Sequence, residues 1–307
     1  MIIDVADDVK VHVIKSPGDY RLMLIGDIHY GNAACRRNIL RKALLFAEKN
    51  DFRIGLMGDL FELVTPKKRE EGHIGQVADL DQQIEMFRED FYHFRHRVDF
   101  VIQGNHDRRI FMETGLDAFK HLVVDWIREE NPNCITNEPK RGLLIVIEAG
   151  GIPYRCYFAH GSRKSKTPQY QLYKALARYE LDLIALAHIH RDYDEPITRK
   201  TIVNKEGEWV TAIRRLWIAR SGSFIGDTEY AEETLEPLPD IGAKTLIFHS
   251  DRYWIKGELN DFYDVEGEFP AGPKGEKITL QKRPNIAARI TMHDVDEVLR
   301  LLKGASK

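Results

Sequence analysis

The sequence has few cysteines, no long apolar run and no excess of positive charge. Its 307 residues include only Cys35, Cys134 and Cys156, which lie far apart and form no Cys-x-x-Cys pair. This spacing argues against a disulfide framework and a thiolate zinc site, and it predicts reduced thiols in a cytoplasmic protein. No segment approaches the length of a membrane span. Residues 1–8 carry acid where a signal peptide would carry Lys or Arg.

The remaining composition is that of an ordinary globular protein. Hydrophobic residues make up 43% of the chain and charged residues 30%, which excludes a disordered or fibrous protein. The formal charge of −3 provides no global basic field for nucleic acid, although a local basic rim stays open. The length fits one large α/β domain or two small ones. With no internal repeat or long linker, we expect a single domain over residues 1–307, with its core motifs in 21–225 and a C-terminal extension of about 250–307.

Hydrophobic periodicity predicts alternating strands and helices. Apolar runs predict strands at 21–26, 53–57, 98–103, 143–148, 154–159, 181–187, 216–220 and 244–249. Helical spacing predicts helices at 38–50, 79–97, 116–130, 169–180 and 294–302. We further expect a loop at 67–75, a turn between short strands at 203–210 and a meandering surface tail at 256–288. This order predicts an α/β fold.

Polar side chains follow these strands where each one ends. They are Asp27, His29, Asp59, Asn105, His106, Asp107, His160, His188 and His190. In extended chain, residues i and i+2 point to the same face, so Asp27 and His29 form a pair, as do His188 and His190. A right-handed strand–helix–strand unit places successive strand exits at one edge of the sheet. The sequence therefore predicts one polar site, although each pair taken alone is equally well explained as ordinary turn residues.

The residue types at these exits indicate metal binding. Carboxylate, imidazole and a neutral amide suit manganese, iron or zinc better than a thiolate-preferring metal. Setting aside His106 and Asp107, the seven ligand candidates are too many for one ion and fit two. Two ions roughly 3.5–4 Å apart can clamp the attacking and leaving oxygens of a phosphoryl transfer. A carboxylate such as Asp59 is a natural bridge between them.

The ordered motifs resemble the calcineurin-like metallophosphoesterases. Asp-x-His at 27–29, Gly-Asp at 58–59, Gly-Asn-His-Asp at 104–107, His-Gly at 160–161 and His-x-His at 188–190 follow the order of that family. The resemblance spans roughly residues 21–225. Its one departure is Ala187 where the family usually has Gly, which adds a methyl group and removes no ligand. The resemblance implies an αββα two-sheet sandwich, in agreement with the element order.

The resemblance also implies roles for these positions. Asp27, His29, Asp59 and His190 would hold one divalent ion, and Asp59, Asn105, His160 and His188 the second. We expect manganese, with iron, zinc or nickel as alternatives. A bridging hydroxide would attack phosphorus, and His106 would stabilise the developing charge and protonate the leaving oxygen. Asp107 would orient the loop or His106, with a helix cap as an equal alternative.

The substrate class follows less directly. Gly58-Asp-Leu-Phe-Glu62 replaces the Asp-Arg-Gly continuation of the Ser/Thr phosphatases and is closer to Mre11/SbcD nucleases and bacterial or phage phosphodiesterases. The cations Arg36, Arg37, Arg108, Arg109, Arg163, Lys164, Lys166 and Arg191 lie next to the ligands. They form either a rim for a phosphate backbone or ordinary solvated loop charge. We expect a phosphodiesterase acting on DNA or a nucleotide. Alternatives are a small-molecule monoesterase and, ranked last, an inactive binding subunit.

Overall fold

The computed structural model describes residues 10–65, 75–137, 142–161, 176, 178–190, 193–226 and 238–282. Within them the strands are β1 Val11–Ser16, β2 Tyr20–Ile25, β3 Arg53–Leu56, β4 Val98–Val101, β5 Ile135–Thr136, β6 Leu143–Ala149, β7 Ile152–Ala159, β8 Leu183–Leu186, β9 Tyr193–Lys205, β10 Glu208–Arg220, β11 Ala243–Phe248, β12 Ile255–Asn260, β13 Gly267–Ala271 and β14 Glu276–Leu280. The α-helices are α1 Arg37–Lys49, α2 Leu80–Phe91, α3 Arg109–Thr114 and α4 Asp125–Arg128. A 3₁₀ turn, Tyr92–Arg97, follows α2, and a π-helical turn, Lys120–Val124, leads into α4.

Two six-stranded mixed sheets form the frame. The first sheet has the order β12-β11-β2-β3-β4-β5, in which β2 to β5 are parallel and β11 is antiparallel to β2. The second sheet has the order β1-β6-β7-β8-β10-β9, with β8 parallel to both β7 and β10. The carboxyl ends of β2, β3 and β4 therefore share one edge of the first sheet. Those of β7, β8 and β10 share one edge of the second.

The sheets pack face to face through apolar side chains. Phe100 of β4 lies 4.7 Å from Phe158 of β7 between ring centroids, so the two sheets are in direct contact. On the outer face of the first sheet, α1 and α2 bury Leu44, Phe87 and their neighbours against β2 and β3. This two-sheet α/β sandwich confirms the fold class that the sequence predicts.

The predicted helices agree best with the structure where apolar residues recur on one face only. The apolar face predicted for α1 is buried throughout. Helix α2 begins after Asp79, whose carboxylate accepts from the Gln82 backbone while the Gln82 side chain accepts from the Asp79 backbone. The continuation to Arg97 is a 3₁₀ turn and not α-helix. The predicted helices at 169–180 and 294–302 and the loop at 67–75 lie mostly or wholly outside the described residues.

Two predictions are wrong in part. The turn expected within 203–210 is present, but it joins two strands of 13 residues each and not short ones. The predicted tail at 256–288 contains the end of β12 and the β13–β14 hairpin. Phe269 of that hairpin is fully buried and stacks on Phe94, so these residues belong to the apolar core. No helix in the described part of the chain is long and apolar enough to cross a membrane.

Candidate metal centre

The seven predicted ligands meet at one end of the sandwich. Asp27 and His29 follow β2, Asp59 follows β3, Asn105 follows β4, His160 follows β7, and His188 and His190 follow β8. Each loop leaves the carboxyl end of a strand, and both sheets contribute. The topology therefore brings together residues up to 163 positions apart in the numbering, from Asp27 to His190.

The backbone at this site is held in an uncommon conformation. Asp27, His29, Asp59, His188 and His190 all have positive φ, between 50° and 76°. Residues other than glycine rarely adopt this left-handed backbone conformation. Where they do, the strain is found most often at functional sites. Positive φ recurs at five of the seven ligand candidates. This indicates that the surrounding fold holds these loops in a strained conformation that positions their side chains.

Close approach of two loops requires a glycine. A Cβ on Gly104 would lie 2.2 Å from the backbone nitrogen of Asp59 and from its Oδ1. Only a residue without a side chain lets the β4 exit pass this close to Asp59. The Gly of the Gly-Asn-His-Asp motif is therefore explained by packing against the carboxylate and not by a catalytic role.

One group of ligand atoms surrounds His160. Its Nε2 lies 3.0 Å from Asp59 Oδ2, 3.2 Å from Asn105 Oδ1 and 3.1 Å from His188 Nδ1. Its Nδ1 lies 2.9 Å from the Met57 carbonyl, to which it donates, so Nε2 is the atom aimed into the site. Burial lowers the pKa of His160, but the Asp59 and Asp27 carboxylates outweigh it and raise the pKa to about 10. The site therefore attracts positive charge strongly.

A second group surrounds His29. His190 Nε2 lies 3.3 Å from Asp27 Oδ1, and ligand atoms of these two residues and His29 all fall within 4.8 Å of one another. Asp27 also belongs to the first group, with Asp59, His160 and His188. Among the described residues, Asp27 is thus common to both clusters, whereas the sequence favoured Asp59 as the bridge.

Glu62 contacts the ligand candidate His29, although the sequence analysis assigns Glu62 no role. Its buried carboxylate accepts from His29 Nδ1 at 2.9 Å and from Asn32 at 3.2 Å. This contact leaves His29 Nε2 as the atom available for a metal, which is the usual arrangement of a ligating histidine. Burial raises the pKa of Glu62, but the His29 hydrogen bond and charge outweigh it and lower the pKa to about 2.

Within the described residues, three buried atoms of the ligand candidates lack a hydrogen-bond partner: Asp27 Oδ1, which has the ion-pair contact with His190 at 3.3 Å, His29 Nε2 and His188 Nε2. Buried polar atoms are normally satisfied, and an unsatisfied group requires an explanation. Carboxylate and imidazole atoms pointing into a negatively charged, buried site are the donor set that divalent ions bind. The residues therefore fit the metal centre that their motifs imply.

His106 is held between a carbonyl and a guanidinium. Its Nδ1 lies 2.9 Å from the Glu62 carbonyl oxygen and donates to it, while its Nε2 accepts from Arg109 Nη2 at 2.9 Å. Burial is the largest effect on the pKa of His106 and, with the nearby Arg109 and His29 charges, lowers it to about 4 against the pull of Asp59. The ring lies 4.6 Å from that of His29, edge to face, so His106 borders the ligands without joining the seven.

Asp107 ties two loops together. Its Oδ1 accepts from the backbone N–H groups of Leu60 and Phe61, and its Oδ2 accepts from Gly104. Its side chain provides no cap for α3, whose N-cap position is Arg108. These contacts place Asp107 as an anchor between the β3 and β4 exits, in line with the loop-orienting alternative. Burial and the charge of Asp59 raise the pKa of Asp107 to about 7.

The predicted basic rim is only partly present. Arg109 Nη1 donates to the Glu62 and Leu63 carbonyls, so this guanidinium is engaged with the loop as well as with His106. Arg108 makes one long contact, 3.7 Å to Met112 Sδ. Arg37 is directed away to the fully buried Asp90. Arg36 directly precedes α1, and its guanidinium lies against Gly226. The other four predicted rim residues, Arg163, Lys164, Lys166 and Arg191, lie outside the described residues.

Comparison with known families identifies the class. The model of the calcineurin-like phosphoesterase family matches residues 20–192, more than half of the chain. The chain belongs to the calcineurin-like phosphoesterase family, in agreement with the motif order and the two-sheet sandwich. Comparison of the sequence with curated proteins finds no significant match.

Solved structures provide more distant likenesses. A metallophosphoesterase from Sphaerobacter thermophilus shares 14% identity, with 78% of this chain and 89% of that chain covered and a TM-score of 0.35. A protein of Streptococcus pneumoniae TIGR4 described as a predicted phosphoesterase shares 10% identity, with 79% and 98% covered and a TM-score of 0.29. GAP50, described as the anchor in the inner membrane complex of Plasmodium, shares 11% identity, with 87% and 90% covered and a TM-score of 0.34. Similarity at this level carries no information on substrate.

Proposed function

We propose that the protein is a dinuclear-metal phosphodiesterase. The observation that carries this proposal is the pair of overlapping ligand clusters at one end of the sandwich. Buried atoms of Asp27, His29 and His188 there have no hydrogen-bond partner in the described part of the chain. Asp27, His29, Asp59 and His190 serve one ion, and Asp59, Asn105, His160 and His188 serve the other. Two divalent ions, manganese in this proposal, supply charge neutralisation on the phosphate and a nucleophile at neutral pH.

The contacts of Glu62 and Met57 define what the chain itself does. Glu62 fixes the His29 ring by accepting its Nδ1–H, and the Met57 carbonyl does the same for His160. Because the Nδ1–H of each ring is hydrogen-bonded, the Nε2 atom stays directed at the ion site. Ligand rings held in this way need little reorganisation when substrate arrives.

His106 is the proposed general acid. Its Nδ1–H is held by the Glu62 carbonyl, so the proton for the leaving oxygen must be carried on Nε2, where Arg109 now donates. A bound phosphate anion is a stronger acceptor for a guanidinium than a neutral imidazole. We therefore assign Arg109 two positions: on His106 in the free enzyme, and on phosphate in the complex, where Nε2 is released to hold a proton.

The diester assignment rests on the motif context. The Gly58-Asp-Leu-Phe-Glu62 sequence departs from the protein phosphatases, and the carboxylate of Glu62 is committed to His29. Arg108, which makes one long contact, is the described cation best placed to meet a second phosphate of a DNA or nucleotide substrate. A small-molecule monoesterase is the alternative, and an inactive binding subunit ranks lower because no ligand is missing.

With all three cysteines free, we place the protein in the cytoplasm.

Hydrolysis of bis-(p-nitrophenyl) phosphate and of p-nitrophenyl phosphate, side by side, tests the proposal. We expect manganese-dependent cleavage that favours the diester and is abolished by chelator, followed by cleavage of single- or double-stranded DNA. Preference for the monoester would move the assignment to a small-molecule phosphatase. Inactivity on both substrates in protein that binds metal would overturn the general diesterase assignment.

The His106→Ala variant tests the acid role. We expect it to bind metal as the wild type does and to lose most turnover, by roughly 10²–10⁴-fold as general acid catalysis typically contributes. The loss should be smaller for a substrate whose leaving group needs no proton, such as p-nitrophenolate, than for an alkyl leaving group. Equal turnover by variant and wild type on the alkyl ester would show that His106 is not the acid.

A further inference from the structure

The β9–β10 hairpin extends far beyond its sheet. Both strands have 13 residues, but β10 pairs with β8 only over its last four residues, from Trp217 to Arg220. Residues 197–216, here called the arm, therefore form a two-stranded ribbon that pairs with no third strand among the described residues. Nine residues of β10 lie in the arm, which gives it a length of about 30 Å. Because β10 runs towards the metal centre, the arm tip at Glu206 and Gly207 points away from it.

One face of the arm carries three large apolar side chains. The register pairs Trp209 with Asn204, Thr211 with Ile202 and Ile213 with Lys200, and these residues share one face. Ile202 is the diagonal neighbour of both Trp209 and Ile213. The three apolar side chains are 70–74% exposed. They form a contiguous apolar patch, here called the arm patch.

The arm patch continues the buried interior of the sandwich. Further down the same face, Trp217 is 3% exposed and belongs to the core between the sheets. Trp254, which directly precedes the edge strand β12 of the first sheet, packs on it with rings 5.1 Å apart, and Arg215 lies over the same Trp254 ring. The apolar face of the arm continues beyond this contact to Ile213 and Trp209. The arm patch is thus a core-like surface with no cover in the described part of the chain.

Such a surface is unusual for an isolated chain. A two-stranded ribbon is marginally stable in water unless another element packs on it. A contiguous exposed apolar patch marks an interaction site, and tryptophan is enriched among residues that dominate binding energy. The opposite face of the arm also carries apolar side chains, Ile197, Val203 and Val210, but these are only 36–37% exposed, about half as much as those of the arm patch. The asymmetry indicates that one face is adapted to a partner.

We infer that the arm is a dimerisation element whose partner is a second copy of this chain. Each face of the arm measures about 30 Å by about 10 Å, roughly 300 Å². In a two-fold dimer with each arm lying on the partner's body, four such surfaces are buried, about 1,200 Å², which reaches the size of a specific interface. One arm docked on an unrelated partner would bury only about 600 Å², within the range of crystal-packing contacts.

Charge also favours a second copy. The arm holds five basic residues, Arg199, Lys200, Lys205, Arg214 and Arg215, against two acidic ones, Glu206 and Glu208. Arg214 pairs with Glu180 and Asp182 of its own chain, which leaves four basic residues for a partner. The whole chain has a formal charge of −3, so the rest of it is acidic. The arm of one copy therefore meets a body of opposite average charge in the other. A closed two-fold arrangement satisfies both arms at once.

Sedimentation velocity of the full chain over loading concentrations from about 1 to about 100 µM tests this inference, since mass action makes a dimer concentration-dependent. We expect the wild type to sediment as a dimer. The double variant Trp209→Lys/Ile213→Lys adds two positive charges to each arm patch, four in the dimer. It should weaken dimerisation by at least about 30-fold, the loss of one interface hot spot.

The matched control lies on the opposite face of the same arm. Val203→Lys/Val210→Lys adds the same charge to the same ribbon and should leave the dimer intact. Thermal unfolding followed by circular dichroism checks that both variants keep the fold, and diester hydrolysis at the distant metal centre should be retained. A wild type that is monomeric at every concentration overturns the inference, even if it binds DNA or vesicles. So does an equal loss of dimer in the two variants.

Discussion

Glu62 provides the sharpest test of how the metal centre is built. The Glu62 carboxylate is 7% exposed and accepts from His29 Nδ1 and Asn32. In Glu62→Ala the His29 Nδ1–H loses its acceptor, and the ring is free to turn or to change tautomer. Removing an outer partner of this kind typically lowers metal affinity by about 10- to 100-fold, or about 1.4–2.8 kcal/mol. Because the site is buried and no second acceptor for Nδ1 is described, we expect the upper end of this range.

Calorimetric titration of metal-free protein with manganese or zinc measures the effect directly. Glu62→Gln keeps an acceptor oxygen and should lose only about tenfold in affinity, at the lower end of the range. Glu113→Ala is the control, since that carboxylate is exposed and contacts Thr65 away from the ligands. Affinity of Glu62→Ala within about twofold of the wild type would refute the argument, because twofold is far below the loss of an orienting contact.

The same residue produces a pH signature in the metal-free protein. The pKa of Glu62 falls from 4.5 to about 2 on folding, because the His29 contact outweighs burial. A lowered carboxyl pKa means that the unfolded chain binds the proton more readily between these values. Its contribution to stability is therefore fully present above pH 4.5 and is lost as the pH falls towards 2. Glu62→Gln should flatten this part of the stability profile measured by denaturant unfolding.

Three further outcomes follow from the contacts. In the proposed assignment Asp59 serves both ions and Asp27 serves one, so Asp59→Asn should weaken both ion sites and Asp27→Asn one, as measured by metal content. Loss of both ions in Asp27→Asn, whose ligand atoms fall in both clusters, would instead make Asp27 the bridge. Arg109→Ala should lower kcat by about 10-fold or more, as expected for the loss of a positioned, charged hydrogen bond. Arg108→Ala should instead raise mainly KM. If the two variants changed kcat and KM in the same way, the assignment of two positions to Arg109 would be contradicted. Phe269→Ala should lower the free energy of unfolding by about 3–5 kcal/mol in urea titration, since the ring is fully buried; a change below about 1 kcal/mol would place the hairpin outside the core.

The ligand positions could be predicted because topology makes them converge. Each predicted ligand follows an apolar strand, and the carboxyl ends of parallel strands meet at one edge whatever the loop details. Asp27 and Asp59 come together on this ground alone, whereas His160 follows β7 of the second sheet and joins them because the two sheets pack face to face. Their backbone strain was not predictable, since positive φ at a non-glycine residue is imposed by tertiary contacts and leaves no mark in composition.

Glu62 and Asp107 show what sequence reasoning leaves open. Glu62 lies three residues beyond Asp59, but whether its carboxylate meets His29 or His106 depends on how that loop turns. Asp107 fits a helix cap as well as a loop anchor until the backbone donors of Leu60 and Gly104 are seen beside it. In both cases the partner is distant in sequence, so no local pattern selects it.

The arm and the C-terminal hairpin were misjudged for a related reason. Strands β9 and β10 lack a clean alternation of apolar and polar residues, because most of their length packs on nothing in the described part of the chain. The β13 segment Gly267–Ala271 contains glycine and proline, which resemble loop chemistry. Its strand character comes from pairing with β14 and from the burial of Phe269. Tertiary packing overrides weak local preference at both places.

The number of divalent ions held by each chain tests the central claim most directly. Metal-free protein is loaded with manganese, separated from free metal by gel filtration, and measured by mass spectrometry for metal content. We expect two ions per chain in the wild type and fewer in Asp27→Asn. A wild type that retains no ion, or an Asp27→Asn variant that retains both, would contradict it.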